Sequence, residues 1–194
     1  MALPQNALSV TVVPGVLLPP DNWSRASDLV DYDLGPNAVG DPSLGLNYQV
    51  WQAELQGNNI VCFPYTTGTP QTVITTDTGI TALSFSFDQN ARPYVVYQSG
   101  ANTKLYWYDS SLPGFTTTTY TGISSFFLSL DEKRSVESNN SDVLFLYIRS
   151  SNLYYRQQRD RFLTERLLKS SPIGGTKIVK AGQNNALRFQ IHLR

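Results

Sequence analysis

Between residues 79 and 131 the chain alternates apolar and small polar positions, and it does so twice. Gly79-Ile80 leads into Leu83, Phe85 and Phe87, spaced by Ser84 and Ser86 and closed by Asp88. Gly122-Ile123 leads into Phe126, Leu128 and Leu130, with Ser125 and Ser129 among them, closed by Asp131. The two runs superimpose with an offset of 43 residues. A period of two predicts strands with one buried face. Each run is followed by a second strand, Tyr94-Val95-Val96-Tyr97 and Leu144-Phe145-Leu146-Tyr147. A polar turn ("QSGANT", "RSSN") and a third strand (105–108, 153–156) complete each copy.

Partial copies flank these two. "YQVWQAELQGNNIVCF" (48–63) supplies two strands around a Gly-Asn turn, and "IVKAGQNNALRFQIHL" (178–193) repeats the first hairpin. Gly-Asn and Gln-Asn pairs suit hairpin corners because Gly and Asn tolerate positive φ. No segment shows a sustained 3.6 period. The best helix candidate, 156–168, reads equally as strand, turn at Asp160-Arg161, and strand. The fold expected for 46–194 is therefore all-β, built of antiparallel, propeller-like repeated modules of about 43 residues. Closed propellers hold about four to eight blades, and this stretch supplies at most about three and a half. The remedies are imperfect closure into a small barrel or sandwich, a strand from the N-terminal segment, or edges covered by another chain. Exposed edges invite pairing, which favours assembly.

Residues 1–45 differ in kind. "VVPGVLLPPDNWS" and "DLGPNAVGDPSLG" are dense in Pro and Gly, and only "LSVTVV" (8–13) reads as a strand. Proline donates no ladder bond and pushes its predecessor to extended geometry, so 1–45 is expected to be an extended arm. Its Val, Leu and Trp23 suit a segment that lies against another surface, and Trp23 is a candidate interface residue.

Composition sharpens this picture. Charged residues make up only 15% of the 194, and Thr, Ser, Asn, Gln, Gly and Tyr fill the deficit, as on a neutral polar β surface. The charges are unevenly spread: residues 1–130 carry a net −6 and residues 131–194 a net +6. Such a split favours contacts between copies or with a partner, or neutralisation within one fold. The longest apolar run has six residues (143–148), far below the roughly 20 that span a bilayer, so no membrane partner is expected. The N-terminus lacks a basic leader, and the single Cys62 excludes an internal disulfide.

Catalytic chemistry finds little purchase. His192 is the only histidine and Cys62 the only cysteine, each embedded in an apolar strand. A lone Cys and a lone His make no zinc site without carboxylates, and no phosphate-cradling glycine motif is present. Asp31 and Asp33 share a face if extended but lack calcium-loop spacing. Asp88 and Asp131 hold equivalent positions at strand ends, which argues for turn capping. No enzyme, cofactor or metal is expected. The run "YIRSSNLYYRQQRDRFLTER" interleaves arginines with aromatics. It marks Arg149, Tyr154, Tyr155, Arg156, Arg159 and Arg161 as a candidate protein interface. Stacking on single-stranded nucleic acid is disfavoured by overall neutrality.

Four separated motifs carry a family resemblance: "FDQNARP" (87–93), "LYWYD" (105–109), "LDEKR" (130–134) and "NLYYRQQRDR" (152–161). In this order they resemble virion structural proteins of tailed bacteriophages, over roughly residues 46–194. The resemblance implies a non-enzymatic particle component of the tail or neck region, made in the host cytoplasm and residing in the virion. Its implied partners are tail, adaptor or fibre proteins and further copies of itself. The alternative reading is a receptor- or carbohydrate-binding module at the tail tip, since eleven tyrosines and three tryptophans suit a sugar-stacking face.

Overall fold

The structure, a computed structural model, describes residues 8–12, 38–39, 49–64, 71–88, 90–112, 114–131, 142–170, 177–183 and 189–194. The described residues form fifteen strands and one 3-10 turn, with no α-helix among them. In chain order the strands are β1 (Leu8–Val12), β2 (Ala38–Val39), β3 (Gln49–Gln56), β4 (Asn59–Pro64), β5 (Thr72–Thr76), β6 (Ile80–Phe87), β7 (Pro93–Ser99) and β8 (Asn102–Asp109). There follow β9 (Gly114–Thr121), β10 (Ile123–Asp131), β11 (Asp142–Arg149), β12 (Asn152–Gln157), the 3-10 turn Gln158–Asp160, β13 (Arg166–Lys169), β14 (Ile178–Gln183) and β15 (Phe189–Leu193).

These strands make four sheets. Three are four-stranded antiparallel meanders, β2-β3-β4-β5, β6-β7-β8-β9 and β10-β11-β12-β13. The fourth is three-stranded, in the order β1-β15-β14, with β14 and β15 antiparallel and β1 parallel to β15. The chain is all-β, and its sheets are open. The sequence repeat is thus a repeat of whole sheets. Hairpins closed by Gln56↔Asn59, Ser99↔Asn102 and Arg149↔Asn152 align the second and third strands of three modules. Gly57 and Gly100 meet the positive φ those corners need (61° and 59°). In the third corner Ser150 and Ser151 adopt φ of 49° and 60°.

The segment 156–168 resolves as strand, turn and strand. Leu153, Tyr155 and Gln157 alternate inward along β12, and the ladder to β11 overrides the helix propensity of the following residues. Arg161 and Phe162 then turn the chain with φ of 60° and 56° before β13.

The first strands depart from the expected single buried face. Ser86 and Ser129 are fully buried and Ser125 nearly so. β6 and β10 each stand between neighbouring sheets, since β3 packs on β6, β6 on β10 and β10 on β14. A small hydroxyl fits there and serves the next sheet. Ser84 Oγ accepts from the Leu128 amide at 3.0 Å and Ser125 Oγ from the Ile178 amide at 2.9 Å. Ser129 Oγ donates to the Ala181 carbonyl at 2.9 Å. Buried polar groups that find partners cost little, so a polar row is tolerated inside.

Two apolar cores result, one on each face of the third sheet. The larger joins Ile60, Cys62, Phe85, Phe87, Tyr94, Trp107, Leu128, Phe145, Tyr147 and Phe162 across three sheets. The smaller joins Leu144, Leu146, Ile148, Leu153, Tyr155, Ile178, Ile191 and Leu193 across the third and fourth. Of the stretch 1–45, two pieces are described, β1 and β2, and both lie in sheets. Trp23, Asp31 and Asp33 lie outside the described residues.

Candidate functional site

The richest constellation of side chains lies where the second and third sheets meet. It is built by the nine-residue segment from Gln157 to Glu165, which leaves β12, turns, and heads toward β13. Phe162, 1% exposed, inserts against sheet two, edge-on to Trp107 (centroids 5.3 Å apart) and tilted toward Tyr94 (6.3 Å). On one side of it Gln158 Nε2 donates to Tyr94 Oη at 2.8 Å and to Asp88 Oδ2 at 3.3 Å. On the other, Arg161 donates to Asp109 Oδ2 at 2.6 Å.

Asp88 caps its own turn. Its Oδ1 accepts the amides of Asn90 and Arg92, both at 2.9 Å, and Tyr94 Oη approaches Oδ2 at 3.4 Å. Burial dominates these bonds, so the carboxyl is raised above the ordinary carboxylate range. The Tyr94 phenol rises with it, mainly by desolvation and then by the adjacent Asp88 charge. Asp109 behaves oppositely. Burial alone would raise it, but the bonds from Arg161 and from the Ser111 hydroxyl and amide outweigh that and hold it low.

A second cluster surrounds Arg156. Its Nη1 donates to the carbonyls of Phe162 (2.9 Å) and Leu163 (2.7 Å), and its Nε to Tyr147 Oη (3.0 Å). Its Nη2 lies 3.4 Å from Glu165, which also pairs with Arg149 at 2.5 Å and accepts from Tyr147 Oη. The guanidinium carbon sits 5.1 Å from the centre of the Tyr120 ring of sheet two, a cation–π contact across the junction. Desolvation lifts the Tyr120 phenol to about 12.

The sequence candidates can now be placed. Arg149, Arg156 and Tyr154 gather on one face at this junction, with Tyr154 stacked on Tyr147 (5.7 Å) under Arg149. Arg161 joins them through Asp109, while Arg159 pairs with Asp142 of its own sheet. Tyr155 faces away into the smaller core. The arginines are thus committed to contacts within the chain, although Arg149 and Arg161 keep 39% and 45% of their side chains exposed. No known family model, curated protein or solved structure matches the chain. What the junction does chemically is therefore read from its own bonds, and they are those of a latch between modules.

Sequence reasoning passed over Phe162, Gln158 and Glu165. Phe162 was legible only as one more aromatic, because no periodic pattern runs through an irregular turn. Arg156 supports a direct prediction. Lysine keeps the charge but cannot reach two carbonyls, a phenol and a carboxylate from one planar head. Arg156→Lys is expected to lower stability by about 1–3 kcal/mol in urea denaturation, since several partly buried acceptors lose their donor.

The remaining groups with chemical potential are sequestered. The Cys62 thiol is buried in β4 and pushed up to about 11 by desolvation, far from a reactive thiolate. His192 lies on β15, 8% exposed, beside the smaller core. Among the described residues, no group of three His, Cys, Asp or Glu is placed to hold a metal ion, and no helix is long and apolar enough to cross a membrane. One aromatic surface stays accessible. Phe115 (42% exposed) stacks on Tyr106 (4.9 Å, 3° between planes), with Arg92 3.9 Å from the centre of the neighbouring Tyr108 ring.

Proposed function

We propose that this chain is a structural subunit of a tailed-phage particle, in the tail or neck region, acting by protein–protein assembly and without catalysis. The observation that carries the reading is a row of open sheets whose outermost strands present apolar side chains. Val73 on β5, Phe115 on β9 and Leu167 on β13 are 56%, 42% and 56% exposed, each on the edge strand of its sheet. Unpaired edges with exposed apolar residues are liabilities in an isolated chain and assets in a multi-copy object. The order of the motifs at 87–93, 105–109, 130–134 and 152–161 supports the phage setting. A propeller-like arrangement of the modules, completed by neighbours, fits the same reading.

A second reading, a carbohydrate- or receptor-binding module at the tail tip, is favoured by the Phe115–Tyr106 platform alone. One measurement separates the two. Light scattering and negative-stain images of the purified chain, with its retention by particles lacking it, are expected to give a symmetric oligomer that incorporates. A monomer that particles ignore overturns the assembly reading. Specific glycan-array binding abolished by Phe115→Ala shifts the weight to the tip module.

A further inference from the structure

The outer side of β15 is filled in an unusual way. In the other three modules the second strand pairs outward with its own third strand, antiparallel and joined by a two-residue corner. In the fourth module that place is taken by β1, from the opposite end of the chain and running parallel, with Leu8 opposite Phe189 and Val12 opposite Leu193. No short connection ties this strand to its acceptor. Parallel pairing always needs a long crossover, and here nearly the whole fold is the crossover.

The tether on the other side is long. Residues 13–37 separate β1 from β2, and 25 residues reach up to about 80 Å when extended. A compact chain of this length has a radius of gyration of about 16 Å, so a connection of 25 residues is long enough to reach a neighbouring copy. Charge permits the same exchange. The tether carries Asp21, Asp28, Asp31 and Asp33 against Arg25 alone. The segment that includes β14 and β15 carries Lys177, Lys180, Arg188 and Arg194. That attraction acts between copies as readily as within one.

We propose that the Leu8–Val12 strand is exchanged between copies, so that β1 of one chain completes the fourth sheet of the next. The inference rests on the assembly reading and names its donor and acceptor. Each copy gives one strand and receives one, a head-to-tail contact that closes into a ring when the rotation allows and otherwise extends as a filament. A copy whose own β1 is placed elsewhere leaves the β15 edge open, and an open edge recruits a strand.

The test uses two full-length chains in a Cys62→Ala background, one carrying Ser9→Cys and the other Gln190→Cys; these two positions are register partners. After joint refolding and mild oxidation, exchange predicts a covalent species of twice the chain mass, joined from residue 9 to residue 190. A single chain carrying both substitutions serves as the folding and reactivity control. Thr11→Cys with His192→Cys is the second pair if Gln190→Cys misfolds. An oligomer by light scattering that yields no mixed disulfide, while the double variant closes within one chain, overturns the exchange and leaves the assembly reading standing. A monomer with only intrachain bonds overturns both.

Discussion

Phe162→Ala is expected to lower the stability of the chain by about 3–5 kcal/mol, the range for truncating a buried aromatic. The side chain is 1% exposed, and its ring fills the space between Trp107 and Tyr94. Both walls belong to a different sheet from the residue that inserts, so the cavity opens at a module boundary. Collapse there requires two sheets to shift together, which places the cost toward the upper end. The neighbouring Leu163 is 73% exposed, and Leu163→Ala is expected to change stability by no more than about 0.5 kcal/mol. Urea denaturation of the two variants checks this. Equal effects would mean that Phe162 does not latch the junction.

The second large effect concerns Asp88 and has a distinctive pH signature. Asp88→Ala leaves the amides of Asn90 and Arg92 without their side-chain acceptor and takes from the Gln158 amide group the weaker of its two acceptors, and is expected to cost about 3 kcal/mol. Asp88→Asn keeps an acceptor oxygen for the turn while removing the buried charge. The folded chain holds the Asp88 carboxyl above its unfolded value, so ionised Asp88 opposes folding. Its stabilising contribution is fully present below the unfolded pKa of about 4 and is lost as pH rises through the folded value. Asp88→Asn is therefore expected to gain on the natural chain as pH rises from about 4 through the folded value of Asp88, and to hold that gain above it. Asp109 runs the other way, because its folded value is lowered. Its contribution is present above the unfolded pKa and lost as pH falls through the folded one, so Asp109→Asn is expected to be worse at neutral pH and to converge in acid. Unfolding midpoints across a pH series decide the matter. Differences that do not diverge in these opposite directions would remove burial as the cause at Asp88 and the Arg161 and Ser111 bonds as the cause at Asp109.

The pattern of alternating residues carried most of the architecture. Phe85 and Phe87, and Leu128 and Leu130, announce first strands by their period, and the corners at 57 and 100 announce hairpins by glycine. The 43-residue offset then places the modules side by side. Less was legible at the inner strands, where Ser84, Ser125 and Ser129 look like solvent positions. Small hydroxyls serve equally at a wet face and in a tight, hydrogen-bonded one, and only a neighbouring sheet decides which. The junction was half visible. The arginines of 149–161 stood out by composition, but their partners Glu165, Asp142 and Asp109 lie at separations that no local pattern encodes. Asp88 was the better case, since its place at a strand end before a turn already specifies a cap.

The hydroxyl rungs on β6 and β10 have a consequence for how the molecule comes apart. Among the described residues the sheets follow one another in a row, β3 on β6, β6 on β10 and β10 on β14, so resistance to opening is graded along it. Amide exchange should be slowest in β7 and β11, whose residues are buried on both faces, and fastest in the terminal sheets. A terminal layer that loosens while the middle holds gives the molecule a sacrificial end, free to trade partners without melting its centre.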